Sequence, residues 1–414
     1  MGEAEPQVAQ SFPVRDLLKN SNFCLLWIGS TISLFGAEFS FVAVPWLILQ
    51  VSGSGAALGA ILMVEAAPRA AFMLFGGVTS DRFSLRQILV LTTTAQMLVV
   101  AGISVLVHFQ AIRLWHLYAL AFAFGFSDAF AIPARRALLP ALVDETQLPA
   151  ANSLMNGSAQ VTSIAGPAPA GIVLRLWGIT AGFLIDAACF ICALLTLVRL
   201  REPKEWRARQ LTEPAQGVWR SVLEGLNYVW QDRALRSLMF LSAALNLAIA
   251  GPLVIGLAVI ARQRLSSATD FGLMLSFLAI GSLVGSLLPA LRKKQRHRGL
   301  LMLMFSGALG FGMIAIGLLH RLLPILLVIA ALGLGSGFVS VHVQSWFQAH
   351  VDRRMLGRVT SVFMVATLGL VPVSYALTGF IVQVNLTVTF VTSGLCLLAA
   401  TGLAAINRDV HRID

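Results

Sequence analysis

The chain has 414 residues, of which 57% are apolar and only 12% charged, with a mean hydropathy of +0.81. Soluble domains carry about 25% charged residues, so this composition excludes a soluble enzyme, a disordered protein and a nucleic-acid binder. What remains is an integral membrane protein, and at roughly 20 apolar residues per crossing the length holds about a dozen helices in one polytopic unit.

Residues 1–22 are polar, with Glu3, Glu5, Arg15, Asp16 and Lys19 and no apolar core, so no cleavable signal is expected there. The first apolar run is itself a span. Runs bounded by charge or by Gly and Pro clusters predict twelve crossings: 23–49, 55–79, 88–108, 114–132, 152–176, 179–200, 236–260, 271–291, 299–319, 322–345, 359–383 and 386–406. With both termini inside, one side collects Arg15 and Lys19, Arg82 and Arg86, Arg135 and Arg136, the runs Arg199–Arg236 and Arg292–Arg298, Arg353, Arg354 and Arg358, and Arg408 and Arg412. The opposite side has only Arg113, Arg175, Arg262, Arg264 and Arg321. Under the positive-inside rule the net charge of +11 therefore signals orientation and is no nucleic-acid patch.

The longest polar stretch, 201–235, divides the chain into halves 1–200 and 236–414. Within it Val218, Val222, Leu226, Trp219, Leu223 and Trp230 share a helical face opposite Arg220, Glu224 and Asp232, which predicts a helix lying on the inner membrane surface. At one constant offset Gly77 meets Gly285, Ala141 meets Ala349, Asp144 meets Asp352, Ser153 meets Ser361 and Gly171 meets Gly379. Such duplication implies two six-helix bundles, a cavity between them and rocking alternating access.

Cys24, Cys189, Cys192 and Cys396 all fall in apolar runs, and Cys189-x-x-Cys192 is read as small packing residues. No nucleotide, zinc-protease or serine-hydrolase motif occurs, so ATP is not the direct energy source and neither cofactor nor metal is expected. Gly333, Gly335 and Gly337, like Gly281 and Gly285, are read as sites of close helix packing.

The loop after the second span, Gly77-Val-Thr-Ser-Asp81-Arg82-Phe-Ser-Leu-Arg86, resembles the signature of the major facilitator superfamily, with departures at Thr79, Ser84 and Leu85. The fifth span carries Gly166-Pro167-Ala-Pro-Ala-Gly171, similar to the antiporter motif of that superfamily, with Ala170 replacing a glycine. Leu26-Trp27, Pro45-Trp46, Leu139-Pro140, Ala151-Asn152-Ser153-Leu154 and Leu356-Gly357-Arg358-Val359 extend the likeness over nearly the whole chain. Together they resemble the drug:H+ antiporter branch that contains macrolide-efflux proteins and the enterobactin exporter. The resemblance implies an all-α membrane protein of twelve transmembrane helices in two pseudo-symmetric six-helix bundles. It also implies gating by Gly77, Asp81, Arg82 and Arg86, and a functional bend at Gly166, Pro167 and Gly171. The fourth span lacks the arginine common in the multidrug members, since Leu120–Gly125 carries no charge.

Charges inside lipid are costly and mark candidate sites; here they are Glu38, Glu65, Arg69, Asp128 and Asp186. Glu65 and Arg69, four apart, suit an ion pair. Asp128 is expected near the inner mouth, and in similar transporters such an acid pairs with the loop motif, here Arg82 or Arg86. Asp186 reads as a polar residue near the outer interface. Glu38 has only Leu34, Phe35, Phe41 and Val42 one turn away, which makes it the first candidate for the coupled proton, with Glu65, Arg69 and Asp128 behind it. Asn246, His342 and Gln344 are the candidate cavity residues, each open to the alternative of a helix-to-helix hydrogen bond.

These readings predict a secondary transporter of the bacterial inner membrane, both termini cytoplasmic, exporting an amphipathic organic compound such as a drug or siderophore by proton antiport. Its expected partners are a small-molecule substrate, protons and the bilayer, with no nucleic acid and a monomeric chain. Two alternatives stand beside it: a proton-coupled uptake symporter on the same fold, and a non-transporting membrane receptor or assembly protein.

Overall fold

A computed structural model describes residues 14–201, 218–291, 298–352 and 355–406, and all regular elements within them are helices. The polar leader 1–13 and the basic stretches within 202–217, 292–297, 353–354 and 407–414 lie outside the described residues. A short α1 (Val14–Leu17) precedes α2 (Ser21–Ser52), α3 (Gly55–Arg82), α4 (Leu85–His108), α5 (Leu114–Leu142), α6 (Leu148–Ala165), α7 (Pro167–Trp177) and α8 (Ile179–Arg199). Then come α9 (Val218–Gln231), α10 (Arg233–Gly251), α11 (Leu257–Ile260), α12 (Ala268–Leu291), α13 (Arg298–Leu318), α14 (Leu322–His350), α15 (Leu356–Leu368), α16 (Val371–Val384) and α17 (Leu386–Ile406).

Eleven segments among the described residues are long and apolar enough to cross a membrane. The remaining crossing is α6 with α7, the first too polar and the second too short to qualify alone. Pro167 opens α7 without an N–H to donate, while Gly166 keeps helical angles, φ −82° and ψ −51°, so the two pieces continue one another. Polar caps start several helices: the Asn20 side chain accepts from the N–H groups of Asn22 and Phe23, and Asp232 from those of Ala234 and Leu235.

Two helices outrun the hydropathy boundaries, α5 to Leu142 instead of 132 and α14 to His350 instead of 345. Hydropathy marks the lipid-facing length, whereas both helices continue past it through polar residues such as Arg135 and Arg136. The seventh crossing is interrupted at Pro252–Gly256 and Ala261–Leu265, where the backbone widens into π turns. Pro252 removes a backbone donor there. Ser374 of α16 engages the break: its Oγ accepts from Gly251 N–H at 2.8 Å and donates to the Leu247 carbonyl at 2.6 Å.

The first six crossings pack on one another through α2–α8, α4–α8, α4–α5 and α3–α5, and the last six through α12–α14, α13–α17 and α13–α14. Backbones approach closely at the glycines: a Cβ on Gly333 would lie 2.2 Å from the Leu278 carbonyl oxygen, which accords with their reading as packing positions. The two sets meet along α3–α16 and α7–α12. Those junctions are tightest at the end away from Arg82, Arg86, Arg135 and Arg136. A Cβ on Gly59 would be 2.6 Å from Gly379 Cα, one on Gly171 2.6 Å from the Ala268 carbonyl, and one on Gly272 2.1 Å from the Pro167 carbonyl. The Arg262 guanidinium also covers the Trp46 ring at 5.3 Å. The bundle is sealed at that end, and the arginine-bearing end is called the basic end below.

Candidate functional site

A cavity of about 620 Å³ opens toward the basic end, where Arg136, Gln348 and Thr360 stand at its mouth. Among the described residues its walls come from α10, α14 and α15 with Leu309 of α13, and Arg136 of α5 is the one contribution from the first six crossings. Asn246 and Gln344 line it, and Asn246 Nδ2 also donates to the Ser242 carbonyl at 2.9 Å. His342 does not. Its ring is buried, with Nδ1 2.9 Å from the Phe338 carbonyl and its face 4.1 Å from the Phe338 ring, so the structure places it among helix contacts and off the wall.

The buried charges form a network different from the expected pairs. Because Gly125 has no side chain, α5 lies against the Glu65 carbonyl of α3, where a Cβ would come within 1.8 Å. That approach sets Asp128 opposite Arg69 rather than leaving Arg69 to its own helix. Arg69 donates to Asp128 Oδ2 at 3.3 Å, and Gln96 of α4 donates to Asp128 Oδ1 at 2.8 Å. The expected Glu65–Arg69 ion pair is therefore replaced by Arg69–Asp128. Glu65 makes no hydrogen bond among the described residues, although Arg69, Asp128 and Tyr375 of α16 lie within its electrostatic reach. Gln96 and Tyr375 escaped the sequence reading because nothing local marks them; each arrives from a helix remote in the chain.

The expected bridge from Asp128 to Arg82 or Arg86 is likewise absent among the described residues. Arg86 instead bonds the carbonyls of Leu197, at 3.1 Å, and Val198, closing the C-terminal end of α8. Arg82 is exposed. Gly77 lies within α3 with open space where a Cβ would be. Asp81 is the last residue but one of the same helix, and its side chain lies outside the described residues.

Glu38 is half-buried in α2 and makes no hydrogen bond among the described residues. Its neighbour across the helix interface is Gly166, on which a Cβ would fall 2.6 Å from both Cβ and Cγ of Glu38. The bend of the fifth crossing and the acid of the first thus occupy one contact. Two other residues of the bend, Pro167 and Gly171, lie on the α7–α12 seam.

Asp186 is wholly buried between α2 and α8, two turns into α8. Ser40 donates to its Oδ2, while Oδ1 has no hydrogen-bond partner and lies where Gly36 leaves room. No side chain larger than hydrogen fits at Gly36 without meeting Asp186 and Cys189.

At the basic end α9 is pinned to the second set of helices. Glu224 pairs with Arg358 at 2.5 Å, Tyr228 Oη accepts from Asp352 N–H at 3.4 Å, and His350 Nε2 lies 2.8 Å from Asp232 Oδ2. Partial burial opposes the charge on Asp232, but the bond to His350 and the Leu235 and Ala234 N–H groups outweigh it and hold its carboxyl below the usual carboxylate range. Leu223, Leu226 and Trp230 remain exposed on the other side of α9.

A family profile described as "Transmembrane secretion effector" matches residues 16–414. The "Multidrug efflux pump Tap" of Mycolicibacterium fortuitum is 27% identical over 79% of this chain and 81% of its own length. "Macrolide efflux protein A" of Streptococcus pyogenes is 24% identical over 95% of this chain and 97% of its own length. The crystal structure of the nucleoside transporter NupG superposes with a TM-score of 0.68 at 13% identity, covering 93% of this chain and 96% of the other. That likeness shows the same fold.

Proposed function

Because this chain belongs to the transmembrane secretion effector family of major facilitator transporters, we propose that it exports an amphipathic organic compound across the bacterial inner membrane in exchange for protons. It is a transporter and not an enzyme. The observation that carries the reading is the cavity of about 620 Å³ open at the basic end while the opposite end is sealed. The positive-inside rule assigns the basic end, and with it both termini, to the cytoplasm. The cavity then faces the compartment from which an exporter loads. Residues 1–200 and 236–414 act as the two rocking units, joined by 201–235, and rocking opens the α3–α16 and α7–α12 seams.

Coupling requires an acid whose proton affinity depends on the conformational state. Glu38 meets that requirement by position, held against Gly166 of the bend with no cation bonded to it. Movement of α6 against α2 changes its surroundings, so a proton taken up from outside as the substrate leaves is released inside as the next substrate binds. Glu65, Arg69 and Asp128 form the supporting network, whose charge balance shifts when Tyr375 moves with the opposite unit.

Everted membrane vesicles carrying the protein test this with a panel of fluorescent amphiphiles. Under an imposed pH gradient they are expected to accumulate at least one compound. Glu38→Gln keeps the shape and removes titration, so it is expected to bind the same compound, with less pH dependence, and fail to concentrate it. Release where accumulation is expected would replace export by uptake. Concentration by Glu38→Gln would move the proton to Glu65 or Asp128.

A further inference from the structure

The cavity walls divide sharply by chemistry. From α10, α14 and α15 come hydroxyls and amides, among them Ser242, Asn246, Ser340, Gln344 and Thr360, between apolar stretches. Facing them is a single cation, Arg136 of α5, and no carboxylate lines the cavity among the described residues. Arg136 is exposed to it, with Nη1 3.8 Å from Met364 Sδ and no acid paired to it among the described residues. The neighbouring Arg135, by contrast, is half-buried on α5 with Asp128 within its electrostatic reach, so the two adjacent arginines have different surroundings.

Resting on the export reading above, we propose that the transported compound is an oxygen-rich amphiphile carrying an anionic group, a carboxylate or an acid of similar geometry, which Arg136 binds. A guanidinium presents a planar fork that takes a carboxylate through two parallel hydrogen bonds. In a cavity with partly apolar walls that attraction is less screened than in water. A cation in the same place meets repulsion and finds no acid to offset it. The hydroxyls and amides opposite suit neutral oxygen acceptors along the rest of the molecule. Bound in this way, the substrate is held by both halves at once, its anion on α5 and its body on α10, α14 and α15. Occupancy is thereby linked to the approach of the two units.

Equilibrium binding separates this from the direction of transport. Protein purified in zwitterionic nanodiscs is titrated with three naphthyl amphiphiles of one chain length ending in a carboxylate, a carboxamide or a trimethylammonium. The carboxylate is expected to bind at least about tenfold tighter than the ammonium compound. Arg136→Gln is expected to reduce the carboxylate-to-carboxamide affinity ratio to within about twofold, and Arg136→Lys to keep part of it. Tightest binding by the ammonium compound, or the same ratio in Arg136→Gln as in the parent, overturns the proposal and leaves Arg136 an orienting charge of the inner surface. Preferred carboxylate binding without accumulation in everted vesicles would sustain this inference while counting against export.

Discussion

Gly166 and Gly77 both fall in glycine motifs, yet they meet opposite surroundings. A side chain on Gly166 would enter the space of Glu38 and of the Thr162 carbonyl, whereas one on Gly77 meets nothing. Gly77→Ala is therefore expected to raise thermal stability slightly, by up to about 1 kcal/mol through helix propensity, as read by thermal unfolding in detergent. Gly166→Leu is expected to cut vesicle accumulation at least about tenfold, with the folded, monodisperse fraction retained. Normal accumulation by folded Gly166→Leu would reduce the bend to ordinary packing. Both glycines were visible in the sequence, as was every buried charge. What the sequence withheld was adjacency: spacing alone pairs Arg69 with Glu65 one turn away, and only the close approach of α5 at Gly125 gives the guanidinium Asp128 instead. The surroundings of Asp186 are hidden for the same reason, since the room made by Gly36 and the hydroxyl of Ser40 both belong to α2.

Helices were more legible than contacts, because lipid imposes length and apolarity on each crossing. The break between α6 and α7 is written locally as Gly166-Pro167, and α9 is written as one apolar face. The π turns after Gly251 are not, because Ser374, which satisfies the broken backbone, belongs to a helix far along the chain. The docking of α9 is similarly non-local and rests on Glu224–Arg358 and Asp232–His350. Asp232 carries two duties, capping α10 and holding His350. Asp232→Ala is expected to cost about 1 kcal/mol at neutral pH, the usual worth of an N-cap. The pH dependence follows from the direction of its shift. With the folded carboxyl held below its unfolded range, its contribution is complete above the ordinary Asp value of about 3.9 and is lost as the pH falls through the lower folded value. Thermal unfolding from pH 7 into acid should bring parent and variant together only at the acid end, and a gap that widens there would contradict the assignment.

At the scale of the whole molecule, the internal repeat points to two bundles and the charge asymmetry predicts an orientation, but neither says which end is closed. Closure depends on glycine faces of α3 and α16 meeting across more than half the sequence, and period or hydropathy carries no trace of that meeting. The seam offers a direct handle on the transport cycle. A Cβ on Gly55 would lie 3.7 Å from Val382 Cβ, close to the separation of about 3.8 Å found in disulfides. Gly55→Cys with Val382→Cys, placed in a background where Cys24, Cys189, Cys192 and Cys396 are replaced, should therefore oxidise readily while the cavity is open at the basic end. The bond would hold the opposite end shut, because the two residues belong to the two units proposed to rock. Equilibrium binding of the amphiphiles from the basic side is expected to persist. Accumulation in everted vesicles should stop on oxidation and return on reduction, while Val382→Cys alone behaves like the background. Continued accumulation by the fully cross-linked protein would mean that α3 and α16 stay together throughout the cycle, and the path would then have to open along α7–α12 alone.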